Sequence, residues 1–203
     1  MTAPRHRPSP PGSPIPHRPA AVLFGRDGTL VHDVPYNADP ERVRPVPGAA
    51  QAVRLVREAG MATGVVSNQS GIGRGLLTHD EVRRVNIRVD ELIGPFDVWI
   101  YCPHHPDTGC PCRTPRPGLV TDAARRLGVR PADCVMIGDI AADVFAARAA
   151  GAEGILVPNG ATRPEETAAE AEPAHDVLSA VMRLLARPVH TPDVHLRTDG
   201  RPA

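Results

Sequence analysis

Three carboxylates lie in two short polar segments where they could hold a divalent cation. Asp27 lies in segment 25–29, and Asp139 and Asp143 lie in segment 138–143. Carboxylate oxygens are ligands that Mg²⁺ prefers, and a bound Mg²⁺ can neutralise a phosphate group brought beside it. Asp-Gly and Gly-Asp pairs are also common in turns before helices, so turn chemistry explains Asp27 and Asp139 equally well when each is taken singly. Their joint placement favours metal binding.

A glycine-rich segment, 67–75, begins with Ser67 and carries further hydroxyl and amide side chains, including that of Asn68. Its glycines would let backbone N–H groups approach a ligand, and its side chains could donate hydrogen bonds to phosphate oxygens. Arg74 adds a candidate phosphate contact. Most glycine-rich turns are only loops, so this prediction depends on where the segment lies in the fold.

Segment 102–112 has the spacing of a zinc site. Its Cys-x-His pair is followed, five residues later, by Cys-x-Cys. Three thiolates and one imidazole complete a tetrahedral Zn²⁺ site with no open position, which indicates a structural ion that supplies folding energy to the loop. The candidate ligands are Cys102, His104, Cys110 and Cys112. His105 could replace His104, and unconnected cysteines in a proline-rich loop are the alternative. Cys134 lies in an apolar run and is interpreted as core.

The elements that must position these groups alternate along the chain. Near-continuous apolar runs, typical of strands buried on both faces, occupy 20–24, 62–67, 98–102, 134–138 and 154–158. Segments with apolar residues three and four apart, typical of crossover helices, occupy 48–59, 79–93, 118–127 and 141–150. This alternation predicts an α/β fold with a doubly wound parallel sheet. Each polar segment directly follows a strand, so we expect them to converge at the carboxyl edge of the sheet.

Composition limits the partners and the compartment. Lys plus Arg and Asp plus Glu each number 23, so no basic excess attracts nucleic acid or an anionic membrane. No apolar stretch approaches the roughly 20 residues of a membrane span, and the first residues lack the continuous apolar stretch of a signal peptide, so we expect a protein that is not exported. With metal-like cysteine spacing, this predicts a cytoplasmic protein, and nothing indicates an obligate partner, so we expect a monomer. We expect one domain at 20–187 between disordered tails at 1–19 and 188–203.

These segments together resemble the haloacid-dehalogenase (HAD) superfamily, and within it the D-glycero-D-manno-heptose 1,7-bisphosphate and histidinol-phosphate phosphatases. Members open with Asp-x-Asp-Gly-Thr, which is similar to 25–29, and close with Gly-Asp-x-x-x-Asp, matched at 138–143. The Ser or Thr of the second motif matches Ser67, and the zinc loop 102–112 looks like that of the subfamily. The family's Cys-Arg-Lys-Pro-x-Pro-Gly is matched by 112–118. Short inter-strand segments indicate a minimal cap.

The resemblance implies a Mg²⁺-dependent phosphatase acting on a small phosphorylated metabolite. In the family the first aspartate attacks phosphorus, and the second protonates the leaving oxygen and later activates water. Carried over, Asp27 is the acid/base and a magnesium ligand through its backbone carbonyl. Asp139 and Asp143 complete the magnesium site, and phosphate contacts fall on Ser67, Asn68, Arg74, Arg113 and Thr114.

Two residues of this sequence differ from the family pattern at positions that the phosphatase reaction uses. Gly25 occupies the nucleophile position and has no oxygen to attack phosphorus or to bind the metal. Thr114 occupies the position of the family's phosphate-steadying lysine, although Arg113 or Arg116 could supply a charge from a neighbouring position. We therefore predict a phosphatase with impaired turnover. The alternative is a catalytically inactive protein that binds a sugar phosphate.

Overall fold

The computed structural model describes residues 17–170 and 172–189, which contain a five-stranded parallel sheet. The strands lie in the order β3-β2-β1-β4-β5. Their bounds are β1 Ala21–Gly25, β2 Ala62–Asn68, β3 Val98–Cys102, β4 Cys134–Gly138 and β5 Glu153–Leu156. The predicted doubly wound α/β sheet is confirmed. Strand order reverses at β1, so the crevice between β1 and β4 is where such sheets bind ligands.

Helices cover both faces of the sheet. They are α1 Ala49–Glu58, α2 Ser70–Gly73, α3 His79–Ile93, α4 Gly118–Leu127, α5 Ala141–Ala150, α6 Pro164–Ala169 and α7 Val177–Leu185. The α1, α3, α4 and α5 helices match the predicted segments to within one residue at each end. The short α2 and α6 and the longer α7 were not predicted.

Strand β1 shows how the two layers form. Val22 and Phe24 point into a core shared with α1, α3 and α7, whereas Ala21 and Leu23 point into a core shared with α4 and α5. Every residue of β1 is buried. Burial on both faces is the reason that this strand reads as a continuous apolar run instead of an alternating one.

The last strand and the last helix show where local patterns were insufficient. Strand β5 begins at Glu153, one residue before the predicted start, because the apolar pattern did not include an acid. The structure accommodates this buried acid through the Arg187 guanidinium, which donates to both of its carboxylate oxygens at 2.7 Å. Pro158 lay within the predicted strand, but β5 ends at Leu156, and proline has no N–H to donate to a neighbouring strand. Helix α7 buries four apolar residues at helical spacing, a signal present in the sequence: Val177, Ala180, Val181 and Leu184.

The described ends of the chain meet beside α7. The Arg18 N–H donates to the Pro188 carbonyl at 2.8 Å, and the Arg18 guanidinium donates to the Leu185 carbonyl at 2.8 Å. The domain limits 20–187 stay a prediction, and the tail predictions for 1–16 and 190–203 lie outside the described residues. None of the helices in the described part of the chain has the length and apolar character needed to cross a membrane.

Candidate functional site

The polar segments after β1, β2 and β4 line one cavity of about 300 Å³. A volume of this size is at the lower end of the range for small-ligand sites. Of the residues singled out from the sequence, those lining the cavity are Gly25, Asp27, Ser67, Asn68, Asp139 and Asp143. Parallel strand topology therefore brings together groups that are more than a hundred residues apart in the chain.

Gly25, the last residue of β1, contributes only backbone to the cavity. It is not among the glycines with positive φ, so its extended conformation is open to other residues. A Cβ at this position would lie 2.7 Å from Thr29 Oγ1 and 3.8 Å from Asp143 Oδ2. The hydroxyl of Thr29 is the end of a rotatable side chain. The Thr29 Cβ would lie 3.2 Å away and the Thr29 hydroxyl donates to Asp139 Oδ1, so an aspartate at position 25 requires Thr29 to shift and weakens that hydrogen bond.

The Asp27 carboxylate is held by two side chains that donate hydrogen bonds to it. The buried Arg26 guanidinium donates to both oxygens, at 3.1 Å from Nε and 2.9 Å from Nη2. Its Nη1 donates to the Asn86 side-chain oxygen at 2.7 Å, which ties β1 to α3. Gln69 Nε2 donates to Asp27 Oδ2 at 3.0 Å and to Ser67 Oγ at 2.7 Å. These bonds fix the direction of the carboxylate within the cavity.

The Asp139 carboxylate is braced on both oxygens. Thr29 Oγ1 donates to Oδ1 at 3.0 Å, and Asn159 Nδ2 donates to Oδ2 at 3.0 Å. Burial raises the pKa of Asp139, the two hydrogen bonds lower it, and the charge of Asp27 raises it further, with a net upward shift. A Cβ on Gly28 would lie 2.1 Å from Asp139 Oδ2, so only glycine allows this approach. The ionised carboxylate would be favoured by a cation in the cavity.

Asp143 lies in the first turn of α5. Burial and then the charge of Asp139 raise the pKa of Asp143 to about 7, although the Ile140 backbone and the Thr114 hydroxyl oppose the shift. A Cβ on Gly138 would lie 2.5 Å from the Asp143 Cβ, so the glycine that ends β4 makes room for this acid.

The cavity suits a hard cation with few protein ligands. Asp139 and Asp143 supply carboxylates, and the backbone carbonyl of Asp27 is the third candidate donor, whereas position 25 supplies none. Mg²⁺ binds through one or two carboxylates and keeps several waters, so the donor set fits this ion with one ligand fewer than the family pattern. Burial is the largest cause of the raised pKa of both acids, and the charge of a neighbouring carboxylate adds to it.

Arg74, Arg113 and Thr114 do not line the cavity. Arg74 caps the end of α2 and its side chain is exposed. Thr114 is buried, and its hydroxyl accepts a hydrogen bond of 2.6 Å from Asn68 Nδ2. A buried Nη1 of Arg113 and the buried Oδ1 of Asn68 have no partner among the described residues. Both residues adjoin Thr114, since Arg113 precedes it in the chain and Asn68 donates to its hydroxyl.

The Cys/His loop after β3 forms a compact ligand cluster. Its four ligand atoms lie within 4.8 Å of one another, and no other group of three or more His, Cys, Asp or Glu side chains does so within 17–170 and 172–189. Cys112 Sγ lies 3.2 Å from Cys102 Sγ and 3.4 Å from Cys110 Sγ. Zinc–sulfur bonds of about 2.3 Å in a tetrahedron separate ligand atoms by about 3.5 to 3.8 Å. The cluster is therefore close to the size that a tetrahedral ion requires.

The structure selects between the two histidines of this loop. His104 Nδ1 lies 3.2 Å from Cys112 Sγ and 3.5 Å from Cys102 Sγ. His105 instead accepts a hydrogen bond on Nδ1 from the Asp107 backbone N–H at 3.2 Å. The fourth member of the cluster is therefore His104.

The Cys/His loop also packs against the glycine-rich segment. The Gln69 N–H donates to the Cys102 carbonyl at 2.8 Å. A Cβ on Gly73 would lie 2.2 Å from the His105 backbone nitrogen, so α2 and the loop are in direct backbone contact. Helix α4 supports the loop from the other side, where the Gly118 N–H donates to the Pro111 carbonyl at 3.2 Å. The loop therefore forms a wall that fixes the position of α2 at the cavity.

Sequence comparison finds relatives of this chain among HAD phosphatases. The HAD-hydrolase-like family model matches residues 111–184. The D-glycero-beta-D-manno-heptose-1,7-bisphosphate 7-phosphatase of Rhodopseudomonas palustris is 38% identical over 150 residues, covering 68% of this chain and 83% of the relative. The enzyme of that name from Mesorhizobium japonicum is 35% identical over 190 residues, covering 83% and 85%. This chain belongs to that family of HAD phosphatases.

Solved structures of HAD phosphatases share the fold of this chain. The D,D-heptose 1,7-bisphosphate phosphatase of Bordetella bronchiseptica, crystallised with magnesium and phosphate, is 30% identical, with a TM-score of 0.71 over 81% of this chain and 98% of that one. A HAD-like phosphatase from Mesorhizobium loti is 33% identical, with a TM-score of 0.68 over 84% and 88%. The family resemblance predicted from the motifs is confirmed.

Three contacts of this HAD phosphatase site were not foreseen from the sequence. Arg26 was read as a variable position, but it grips Asp27 and Asn86. The Gln69 amide was among the groups expected to donate to phosphate, but it donates to Asp27 and Ser67. Asn159, which braces Asp139, lies after β5 in a segment without a motif. Of the three residues, Arg26 had the clearest signal in the sequence, because it directly follows a buried strand and a buried charge requires a partner.

Proposed function

We propose that this chain is a magnesium-dependent phosphomonoester hydrolase of the heptose bisphosphate or histidinol phosphate type whose turnover is impaired by Gly25. One observation carries the proposal: the acid/base candidate Asp27, the phosphate-contact candidate Ser67 and the acids of the last motif line one cavity with Gly25. The groups that bind and transfer protons remain, and the group that attacks is absent.

The roles follow from where each side chain lies. Asp27 exchanges a proton with the ester oxygen and with water, and Arg26 and Gln69 hold it in place. Ser67 Oγ would donate to a phosphate oxygen, and Asn68 lines the cavity beside it. Asp139 and Asp143 would hold Mg²⁺, which when bound supplies positive charge beside the phosphate. Thr114 lacks the charge that the family's lysine supplies, so the site stabilises the developing negative charge less well.

We infer that the ion of the Cys/His loop is Zn²⁺ and that its role is structural. Three cysteines and His104 fill a tetrahedral shell and leave no open position for a substrate or a reactive water. The loop contacts α2 through backbone atoms at Gly73. Zinc would therefore preserve the wall of the cavity without taking part in the reaction.

Restoring the attacking group tests the proposal. In a Gly25→Asp variant, the new carboxylate oxygen forms a bond to phosphorus while the ester P–O bond breaks, and the leaving oxygen takes a proton from Asp27. Water that gives its proton back to Asp27 then attacks phosphorus and releases phosphate and the free aspartate. We expect Gly25→Asp with Thr114→Lys to raise phosphate release from heptose bisphosphate or histidinol phosphate by more than about 100-fold.

The matched control is Gly25→Asn, which adds nearly the same volume but cannot form the acyl phosphate and should give no gain. A rate for the unmodified chain within the ordinary enzyme range, about 1 to 1000 per second, would reject the impairment.

The binding alternative stands second, because the curated relatives are phosphatases. It follows from the same position, since glycine at 25 removes the attacking group while preserving the backbone of β1. Calorimetry of the unmodified chain with heptose bisphosphate and Mg²⁺, run beside the phosphate assay, separates the two. Binding without release, together with no gain in the Gly25→Asp variant, supports a sugar-phosphate-binding protein.

A further inference from the structure

Tyr36 adopts a backbone conformation that its residue type disfavours. Among the described residues it is the sole non-glycine with positive φ, at 52°. The Asn37 N–H donates to the Val34 carbonyl at 3.2 Å, so the segment is a turn with Pro35 second and Tyr36 third. Turns with proline second and a positive φ third normally place glycine or asparagine there, because a Cβ is strained in the left-handed region. A tyrosine at this position therefore needs a reason.

The ring of Tyr36 lies at the cavity, where it can meet a ligand. Tyr36 lines the cavity together with Asp27 and Ser67, and it is the aromatic residue in that lining. Its Cδ1 atom lies 2.9 Å from where a Cβ on Gly71 would stand, so the ring packs on the backbone of α2. The residue is nevertheless 48% exposed. One part of the ring is supported by the glycine-rich segment, and another part remains open.

We infer that Tyr36 is a specificity-determining residue that stacks on the carbon skeleton of a phosphorylated sugar whose phosphate lies among Ser67 and the acids. The inference rests on the proposed function. Aromatic faces are apolar and suit the C–H face of a sugar, while the phenol oxygen can bond to a sugar hydroxyl. No hydrogen bond in the described part of the chain engages the Tyr36 hydroxyl. Strained backbone persists where the surrounding structure holds it for a functional placement.

A purely structural role is the competing explanation, because the ring also packs on Gly71. The two roles predict different ligand dependence. A ring that only supports α2 would affect every ligand that the glycine-rich segment binds, including inorganic phosphate. A ring that stacks on sugar carbons would affect sugar phosphates and leave inorganic phosphate unchanged.

The test is calorimetry of the full chain with Mg²⁺, titrated with inorganic phosphate and with heptose bisphosphate. We expect Tyr36→Ala to weaken heptose bisphosphate binding by about tenfold or more, and Tyr36→Phe to keep it within about threefold. Inorganic phosphate should bind equally well to all three proteins, within about twofold. Equal losses for both ligands, or no loss for either, would overturn the inference.

A second pair of variants checks the strain. Both Tyr36→Gly and Tyr36→Ala remove the ring, but only glycine adopts a φ of 52° without penalty. We expect the Gly variant to have the higher Tm of the two and to bind heptose bisphosphate as poorly as the Ala variant. A lower Tm for the Gly variant would show that no strain is held at this position, and the inference would lose its basis.

Failure of the proposed function gives a different result. If the unmodified chain binds neither inorganic phosphate nor heptose bisphosphate, the phosphate pocket itself is wrong and the role of Tyr36 fails with it. If both ligands bind and the Tyr36 substitutions change neither, only the role of Tyr36 is rejected.

Discussion

The Cys/His loop and the acidic rim of the cavity, formed by Asp27, Asp139 and Asp143, both present ligand atoms for a metal. Their ligands come from the chain in different ways. The loop draws its four ligands from the eleven residues 102–112, and all four side chains are present within 4.8 Å of one another. The rim draws its ligands from β1 and β4, more than a hundred residues apart, and position 25 contributes none. A cluster with all four candidate ligands therefore lies beside an acidic site in which position 25 has no side-chain oxygen.

The two regions should therefore affect different properties: the Cys/His loop the stability of the fold, and the acidic rim the reaction. The Cys/His loop contacts α2 and α4 through backbone atoms, so we expect removal of the proposed Zn²⁺ to move α2 at the edge of the cavity. Gly25 sits at the end of a fully buried strand in an ordinary extended conformation, so the missing carboxylate leaves the sheet intact. A chain can lose an attacking group at such a position and keep its fold, because the strand needs only backbone there.

The largest expected effect is removal of the loop's ion. A strong zinc chelator should lower the Tm by more than about 10 °C, because the metal supplies much of the folding energy of a loop with little core. Scanning calorimetry with and without chelator measures the change. Cys134→Ala is the matched control, since Cys134 lies in β4 away from the cluster, and it should keep the chelator effect in full.

The Cys110→Ala variant sharpens the same experiment. It should start at a low Tm and show little further loss with chelator, because one of four ligands is already missing. Equal chelator sensitivity in Cys110→Ala and in the unmodified chain would contradict a structural ion at this loop.

The next largest effect concerns the hydrogen bonds by which Arg26 holds Asp27 at the rim. Arg26→Met keeps much of the side-chain volume but removes the guanidinium that holds Asp27 and Asn86. Because the Asp27 side chain is 27% exposed, water can replace part of the lost interaction, and we expect a loss of about 2 kcal/mol in the free energy of unfolding. Urea unfolding measures it. The control is Arg74→Met, an exposed arginine near the same cavity, which should change stability by less than about 0.5 kcal/mol.

The two regions also differ in how far sequence reasoning reached. The Cys/His ligands were predictable because they lie close in the chain, and only the path of the loop decides between His104 and His105. The convergence of Asp27, Ser67 and Asp139 was predictable because parallel strands end at one edge of a sheet. Strand and helix patterns are local signals, so they identified β1 to β5 and four of the helices.

Side-chain partners were the part that local patterns could not supply. Arg26 meets Asn86 across 60 residues, and Thr114 turns to Asn68 instead of lining the cavity. Such contacts depend on rotamers and on which helix packs over which strand. The sequence shows that a buried arginine needs a partner but not which residue provides it.

A third prediction concerns the pH dependence of Mg²⁺ binding to the rim. Burial and the charge of Asp139 raise the pKa of Asp143 to about 7, so this acid must lose a proton before it binds the ion. Mg²⁺ affinity should therefore rise by up to about tenfold per pH unit below pH 7 and level off above it. Without Mg²⁺ the sign for stability is opposite: a raised pKa favours the folded state at low pH, and that contribution is lost as pH rises to about 7.

Calorimetric Mg²⁺ titrations from pH 5.5 to 8.5 check the profile. Asp143→Asn should give a flatter one, because the titrating group is gone. Thr114→Lys should move the rise to lower pH, since a nearby ammonium favours the ionised carboxylate. An unchanged midpoint in Thr114→Lys would place the lysine position too far from Asp143 to steady charge at the rim.

The smallest expected effect distinguishes the cysteines of the loop from the one in the sheet. Burial, with the charge of Asp133, raises the pKa of Cys134 to about 12, so its thiol should stay unreactive near pH 8. Burial raises the pKa of Cys110, but hydrogen bonds from the Arg113 backbone and the neighbouring thiols outweigh it and lower that pKa, which favours a thiolate in the loop. A thiol reagent should therefore leave the metal-bound protein unmodified, modify the loop cysteines first after chelation, and reach Cys134 only on unfolding. Mass spectrometry of the labelled peptides gives the order, and early labelling of Cys134 would mean that loss of the ion opens the sheet as well as the loop.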